Sequence, residues 1–474
     1  MSARTKTLWT FVITSVALFM VTLDNLVVTM ALPSIRLDLG ATIEDLEWTV
    51  NAYTLSFAVL LLTGAALGDR FGRRRVFVLG LGIFTAASAA AALAPNVETL
   101  IAARAVQGLG GAIITPLTLT ILSAAVPPNR RGLALGAWGG IGGLGVALGP
   151  VIGGAVVEGL SWQWIFWLNV PIGIALAPLA ARRLTESFGP DSRLDLPGLG
   201  LISVGLFGIV FGLVRGNSLG WGSPQIVGSL ILGAAFVAAF VWWELRAQAP
   251  MLPMRFFRNR TFAATNVASL FMFFGMFGSI FLLAQFLQTV QGYSPLSAGL
   301  RTLPWTAMPI FVAPIAGALS DRIGGRPLMA VGLAMQAIGL GWLAMISSPT
   351  VPYGDLVPAF VISGIGMALF FAPVANVVLS SVRREEEGKA SGTNNAIREL
   401  GGVFGVAVLA SVFSRYGGYE TPATFVDGLI PAVWVGAAVV AAGALAALFV
   451  PRLQRADEAN TALEHGVSLN EAAL

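Results

Sequence analysis

Two charged residues stand inside long apolar runs, and they are the first candidates for chemistry. Asp24 interrupts the stretch that opens at Leu8, and Arg104 interrupts the stretch that follows Asn96. A carboxyl so placed needs a proton or a nearby cation, and such residues usually mark a path for protons or substrate. It can take up and release a proton as its surroundings change. At about 1.5 Å per residue, Arg104 lies on the order of 10 Å below the boundary at Asn96, and Asp24 lies at a similar depth counted from Pro33.

Little else in the chain can perform covalent or redox chemistry. Among 474 residues there is no Cys, and the one His, His465, lies in a polar C-terminal stretch. This excludes disulfides, thiol catalysis and Cys-based metal sites, and it leaves the redox compartment undetermined. Proton chemistry within apolar segments therefore falls to Asp or Glu. No phosphate-cradling G-x-x-x-x-G-K-[ST] loop exists, and the only lysines are Lys6 and Lys389, which excludes ATP-driven work. Gly140, Gly142 and Gly145 spell G-x-G-x-x-G without any strand context, so nucleotide binding is rejected. No enzyme activity, cofactor, metal, nucleotide or nucleic acid is expected.

The elements that position Asp24 and Arg104 follow from composition. Hydrophobic residues make up 56% and charged residues 11%, with mean hydropathy +0.80; soluble domains carry roughly twice that charge. Too few polar groups remain to cover the outside, so most of it faces lipid. Apolar windows of about 18–25 residues predict about fourteen membrane helices. Among them are spans near 8–32, 97–122, 133–157, 163–181 and 394–414. Arg4 and Lys6 precede the first, but that run is too long for a signal peptide and lacks a cleavage site, so it is read as a retained span.

Charge tests the count. With the N-terminus inside, Arg36, Arg215 and Arg415 are the only basic residues of the outer segments, and all the other loop arginines fall inside. That asymmetry predicts an even number of spans with both termini cytoplasmic. Two matching loops, Asp69-Arg70-Phe71-Gly72-Arg73 and Asp321-Arg322-Ile323-Gly324-Gly325-Arg326, follow the second and tenth spans. Their separation of roughly 250 residues implies an internal duplication. The expected organisation is a six-helix bundle over 1–181, a linker with two extra helices over 182–260, a second six-helix bundle over 261–451 and a cytoplasmic tail over 452–474.

The two loops resemble the cytoplasmic-loop signature of the major facilitator superfamily, with Ala65 where the family's leading Gly is usual and Gly64 beside it. The first span, Leu23-Asp24-Asn25-Leu26-Val27-Val28-Thr29 on to Pro33, is similar to the first-helix motif of that superfamily's 14-spanning drug:proton antiporters. Arg104-Ala105-Val106-Gln107-Gly108 resembles the family's intramembrane Arg motif. The fifth span, with Gly145, Gly149, Pro150, Gly153 and Gly154, resembles the antiporter signature. Its four-residue Gly stripe invites a close backbone neighbour, and Pro150 should bend it. Trp162 to Gly173 resembles a further drug-antiporter signature, with Gln163 where Arg is common; its Trp residues suit an interfacial anchor. Gly292 to Leu300 and Pro304 match the tenth-span entry.

The resemblance implies an all-α major facilitator fold and a proton-coupled exporter of amphipathic or cationic drugs, working by alternating access in the plasma membrane as a monomer. First and fourth helices of a half are neighbours in this superfamily, so Asp24 and Arg104 are expected to sense each other and couple protons. Asp69, Arg70, Gly72, Arg73, Asp321, Arg322 and Arg326 would gate the cytoplasmic side. Asn394, Arg398 and Glu399 form a polar start to the thirteenth span, near the cytoplasmic end. Asn25, Gln107, Phe274, Gln285, Gln288, Trp305, Met308 and Asn376 are candidates for lining the substrate cavity. A dedicated exporter of one natural product or lipid-like molecule is the alternative within transport. A passive channel or receptor is the alternative of another class; the intramembrane charges and the duplicated loop argue against it.

Overall fold

The long apolar runs become helices, several of which start where a side chain accepts from the first free N–H groups. The structure is a computed structural model that describes residues 3–127, 131–189, 194–383 and 386–451, except for the side chains of residues 3, 4, 131–133, 135, 136 and 321. The tail assigned to 452–474 and the side chain of Asp321 lie outside the described residues.

Helix α1 spans Ala3–Leu39 and continues through Pro33, past the sequence-based limit at residue 32. Proline is tolerated inside membrane helices because neighbouring groups re-satisfy the backbone. Helix α2 (Ile43–Phe71) opens with a capping box between Thr42 and Asp45, and α4 (Val97–Ala125) opens on the Asn96 side chain. Helices α3 (Arg73–Ala92) and α13 (Gly325–Ile346) follow the two matching loops. Neither has a side-chain cap of its own; each starts after a glycine at positive φ, 103° at Gly72 and 82° at Gly324.

The first half continues with α5 (Arg131–Gly159) and with α6 (Trp164–Trp167) and α7 (Asn169–Arg183), which share one span. Next come α8 (Leu196–Leu219) and α9 (Pro224–Glu244), capped by Asp195 and Ser223. In the second half, α10 (Arg260–Gln285) runs into a π-helical turn at Phe286–Val290, and α11 (Pro295–Thr306) and α12 (Met308–Ile323) share a span. Helices α14 (Tyr353–Ser380), α15 (Glu387–Tyr416) and α16 (Pro422–Ala447) complete the order. Among the described residues, fourteen helical spans are long and apolar enough to cross a membrane. An even count returns the chain to the side on which it began; we call that side the terminal face and the other the far face.

Helices α1–α7 pack among themselves, as do α10–α16. The two groups meet along α2 against α15 and along α5 against α11. Helix α8 lies over the first of these seams, where Leu206, Val210 and Val214 join Leu55 and Val59 of α2 and Val403 and Ala407 of α15 in one apolar cluster. Helix α9 packs on α8.

Candidate functional site

Asp24 sits in the middle of α1, about 22 Å from its far end by helical rise. Its side chain is sealed, and every neighbour that faces it is a donor. Arg104 of α4 pairs with its Oδ2 at 2.6 Å. Gln107, one turn further along α4, donates to Oδ1 at 2.8 Å, and Asn169 at the start of α7 donates to the same oxygen at 2.7 Å. Ser88 of α3 accepts from both amides, at 3.1 and 2.9 Å. Arg104 also donates to Gln107 Oε1 at 2.8 Å and, through Nε, to the Thr49 carbonyl at 3.2 Å. Its guanidinium lies over the Tyr53 ring, 4.2 Å from the centroid. The structure thus draws five helices of the first half onto one carboxylate. Burial without partners would be costly for either charge, but here both are paired and hydrogen-bonded.

The second half has a different centre. Helix α15 begins at Glu387, so Asn394, Arg398 and Glu399 are not the polar start of a span. Glu399 lies about 18 Å along the helix from its first residue. The charged turn Glu387–Lys389 carries no apolar pattern, which is why the sequence reading started this span too late. Asn394 donates to Asn266 and Ser269 of α10, each at 3.0 Å. Arg398 turns onto the rings of Phe273 and Phe371, 4.4 and 5.2 Å away, and donates to Asn395 at 3.2 Å. Glu399 is left with an unpartnered Oε2, close enough to Tyr53 for its charge to act there across the α2–α15 seam.

The cavity candidates separate. Gln107 is committed to Asp24 and does not face a chamber. Gln285 is sealed, donating to the Phe281 carbonyl and accepting from Tyr419. Phe274 is buried where its backbone meets Gly405, and Trp305 is buried in a stack on Phe360, its Nε1 unpartnered. Each is withheld from a chamber in this state because a neighbouring helix covers it. Asn25 and Met308 are half-buried and Asn376 is exposed. Gln288 reaches across to the Met30 carbonyl at 3.1 Å.

The Gly stripe of α5 packs on α1: an added Cβ at Gly149 would meet Leu26 at 2.7 Å, one at Gly153 would meet the Val27 carbonyl at 2.8 Å, and one at Gly145 would strike Thr22. Gly154 instead meets the Pro295 backbone, and the Pro150 carbonyl meets Gly299, so the Gly-Pro end of α5 closes on α11. Leu296 N–H donates to Glu158 at 3.0 Å beside them. Towards the terminal face the same helix is open: Gly139, Gly140 and Gly143 have nothing within 4 Å of an added Cβ, and Phe311 and Ile315 of α12 are exposed.

In the first matching loop Asp69 pairs with Arg73 at 2.8 Å, while Arg70 is exposed. The missing cap of α3 comes from a distant residue, Glu186, which accepts from the Arg74 backbone at 2.9 Å and faces the Arg74 and Arg75 side chains. In the second loop Arg322 is exposed and Arg326 half-buried, and neither forms an ion pair among the described residues. Trp162 is no interfacial anchor: it is buried and donates to Asp38 at 2.7 Å.

Sequence reasoning missed Ser88, Asn169 and Glu186 as site residues. Ser88 and Asn169 are lone polar residues in apolar spans, a usable signal; Glu186 is legible only as the answer to an uncapped helix.

The chain has extensive likeness to known proteins. Residues 14–406 and 266–471 match the profile of the Major Facilitator Superfamily. The multidrug resistance protein Stp of Mycobacterium tuberculosis is 36% identical over 415 residues, covering 87% of this chain and 77% of that protein. The tetracenomycin C resistance and export protein of Streptomyces glaucescens is 34% identical over 433 residues, covering 90% and 79%. The crystal structure of an auto-inhibited POT family peptide transporter shares the fold with TM-score 0.69 at 16% identity, over 95% of this chain and 97% of that one.

Proposed function

The chain belongs to the major facilitator superfamily and is a membrane transporter, not an enzyme, and on that premise we propose that it is a proton-coupled exporter of amphipathic or cationic antibiotics. The observation that carries this reading is the sealed Asp24–Arg104 pair. A membrane helix gains nothing in packing from a buried ion pair, so its use lies in being made and broken.

In the proposed cycle, residues 1–181 and 261–451 rock about their seams, with 182–260 as the connecting unit. The terminal face is the cytoplasmic side, because the loop arginines gather there. The state described has the α5–α11 seam closed towards the far face and parted towards the terminal face, the arrangement that receives substrate from the cytoplasm. An Asp held by a guanidinium and two amide donors is the ionised form, so deprotonated Asp24 accompanies this state. A proton arriving from outside would release Arg104 and favour discharge of substrate and return. Glu399, whose oxygen has no donor, is the second group open to a proton or to a cationic substrate. The Asp69 and Asp321 loops would act as latches that engage when the terminal face closes. We place the protein in the plasma membrane as a monomer.

Reconstitution into liposomes with an imposed pH gradient tests the reading. Transport of a lipophilic cation that follows the gradient, and stops following it in Asp24→Asn, is expected. Uptake indifferent to the gradient in the unmodified chain would favour a uniporter or channel. Dedicated export of one natural product is the second reading, favoured by the likeness to the tetracenomycin exporter; a substrate panel in which only one compound moves would select it.

A further inference from the structure

A second buried acid lies at the far face, away from the Asp24 knot. Glu47 is on α2, about 6 Å inside its first residue by helical rise, and is 1% exposed. Its Oε2 has no hydrogen-bond partner among the described residues, and neither does either side-chain polar atom of Asn51, one turn on and fully buried. It lies on α2, which packs on α15 along one of the seams between the halves. Tyr419, in the α15–α16 connection, is near enough to feel the Glu47 charge, and it donates to Gln285 of α10.

The surrounding charges are all engaged elsewhere. On α2 itself, Glu44 repels Glu47; Arg215 of α8, whose charge also acts on Glu47, is paired with Glu44 at 2.9 Å. From α1, Arg36 lies flat on the Tyr419 ring at 3.9 Å, and Asp24 is bound by Arg104. From α4, Arg104 is thereby occupied, its Nε on the Thr49 carbonyl. From α15, Arg398 turns to Phe273 and Phe371, Glu399 lies deeper, and Arg415 lies over Tyr416. Helix α3 carries charge only in its first turn, at the opposite face. A carboxylate buried with one oxygen lacking a donor, and with no cation paired to it, is costly, whereas the neutral acid is less so.

We propose that Glu47 is a proton-binding site whose occupation is required for the far face to close. With the seam shut the acid is held neutral; when the seam parts, water reaches it and it ionises. This deepens the exporter reading and rests on it: the far face is where protons arrive, and Glu47 meets them before Asp24. At Glu47 the closed form then binds one proton more than the open form. Through this site falling pH therefore favours closure, by up to about tenfold in the closed-to-open ratio per pH unit.

The absence of cysteine allows a direct test. Leu37→Cys and Thr350→Cys place one exposed label on each half at the far face, and spin-label distances report the closed fraction across pH in the full-length chain. The wild-type background should shift to short distances as pH falls. Glu47→Gln should give short distances at every pH, and Glu47→Asp should restore the pH dependence. The Asp24→Asn chain should keep it, which separates this site from the coupling assigned to Asp24. A pH dependence that survives in Glu47→Gln, that is lost in Asp24→Asn, or that is missing from the wild-type background would overturn the proposal.

Discussion

In the first half, Asp24 receives three donors and Arg104 has an acceptor for each of its facing nitrogens. In the second half, Arg398 stands next to Glu399 in the chain and yet turns away onto two aromatic rings, leaving the acid with a bare oxygen. The two halves therefore share a helical plan and differ in their polar centres. One centre is a closed network, in which removing either Asp24 or Arg104 strands the other's charge. The other is an open one, in which an acid can change its protonation with little rearrangement around it. Neighbours in sequence fail to pair because consecutive helical residues point about 100° apart, whereas Arg104 meets Asp24 from another helix.

The largest effect is expected from breaking the closed network. Asp24→Asn or Arg104→Ala should lower stability by about 3–5 kcal/mol, because the remaining charge stays buried without its partner. Thermal unfolding in detergent measures this. The double change Asp24→Asn with Arg104→Gln should recover most of the loss without restoring gradient-driven transport. Next, Glu399→Gln should change stability by less than about 1 kcal/mol while reducing gradient-driven transport several-fold in liposomes. Equal destabilisation by the two single acid substitutions would erase the contrast between the halves.

The loops extend the comparison at smaller scale. Glu186→Ala removes the borrowed cap of α3 and should cost about 1 kcal/mol, whereas Arg326→Ala in the second half should stay within about 0.5 kcal/mol; melting temperatures distinguish them. The second half has its own tie at Glu386, which pairs with Arg255 and Arg383. Hydrogen bonding from Arg383, and the nearby Arg255 charge, hold its carboxyl below the usual carboxylate range. A lowered value means that its contribution is present at neutral pH and is lost as pH falls through the folded-state value. The smallest expected effect is that Glu386→Gln narrows the stability difference between neutral and strongly acidic pH, as read by unfolding at both.

The membrane architecture was legible because spans are long and uniformly apolar, and because Arg clusters alternate with poor loops. Asp24 and Arg104 stood out for the same reason: a charge in such a run has few innocent explanations. Helix ends were less legible. Helix α1 runs through Pro33, and α15 starts in a charged turn that looks like loop. Partnerships across helices were the least legible. Arg104 and Gln107 share a face at helical spacing, but the convergence of Ser88 and Asn169 on Asp24 depends on how α3, α4 and α7 cross. Gln285 and Trp305 had the right chemistry for a cavity, yet neighbouring helices cover them.

Helix α8 has a consequence for the molecule's flanks. Two seams divide the halves, and α8 roofs the one between α2 and α15. Between α5 and α12 no described helix lies on top, and Leu144, Phe311 and Ile315 are exposed there. The flanks are therefore unequal around the molecule's circumference: one seam is roofed by α8, and the other is bare of any described helix.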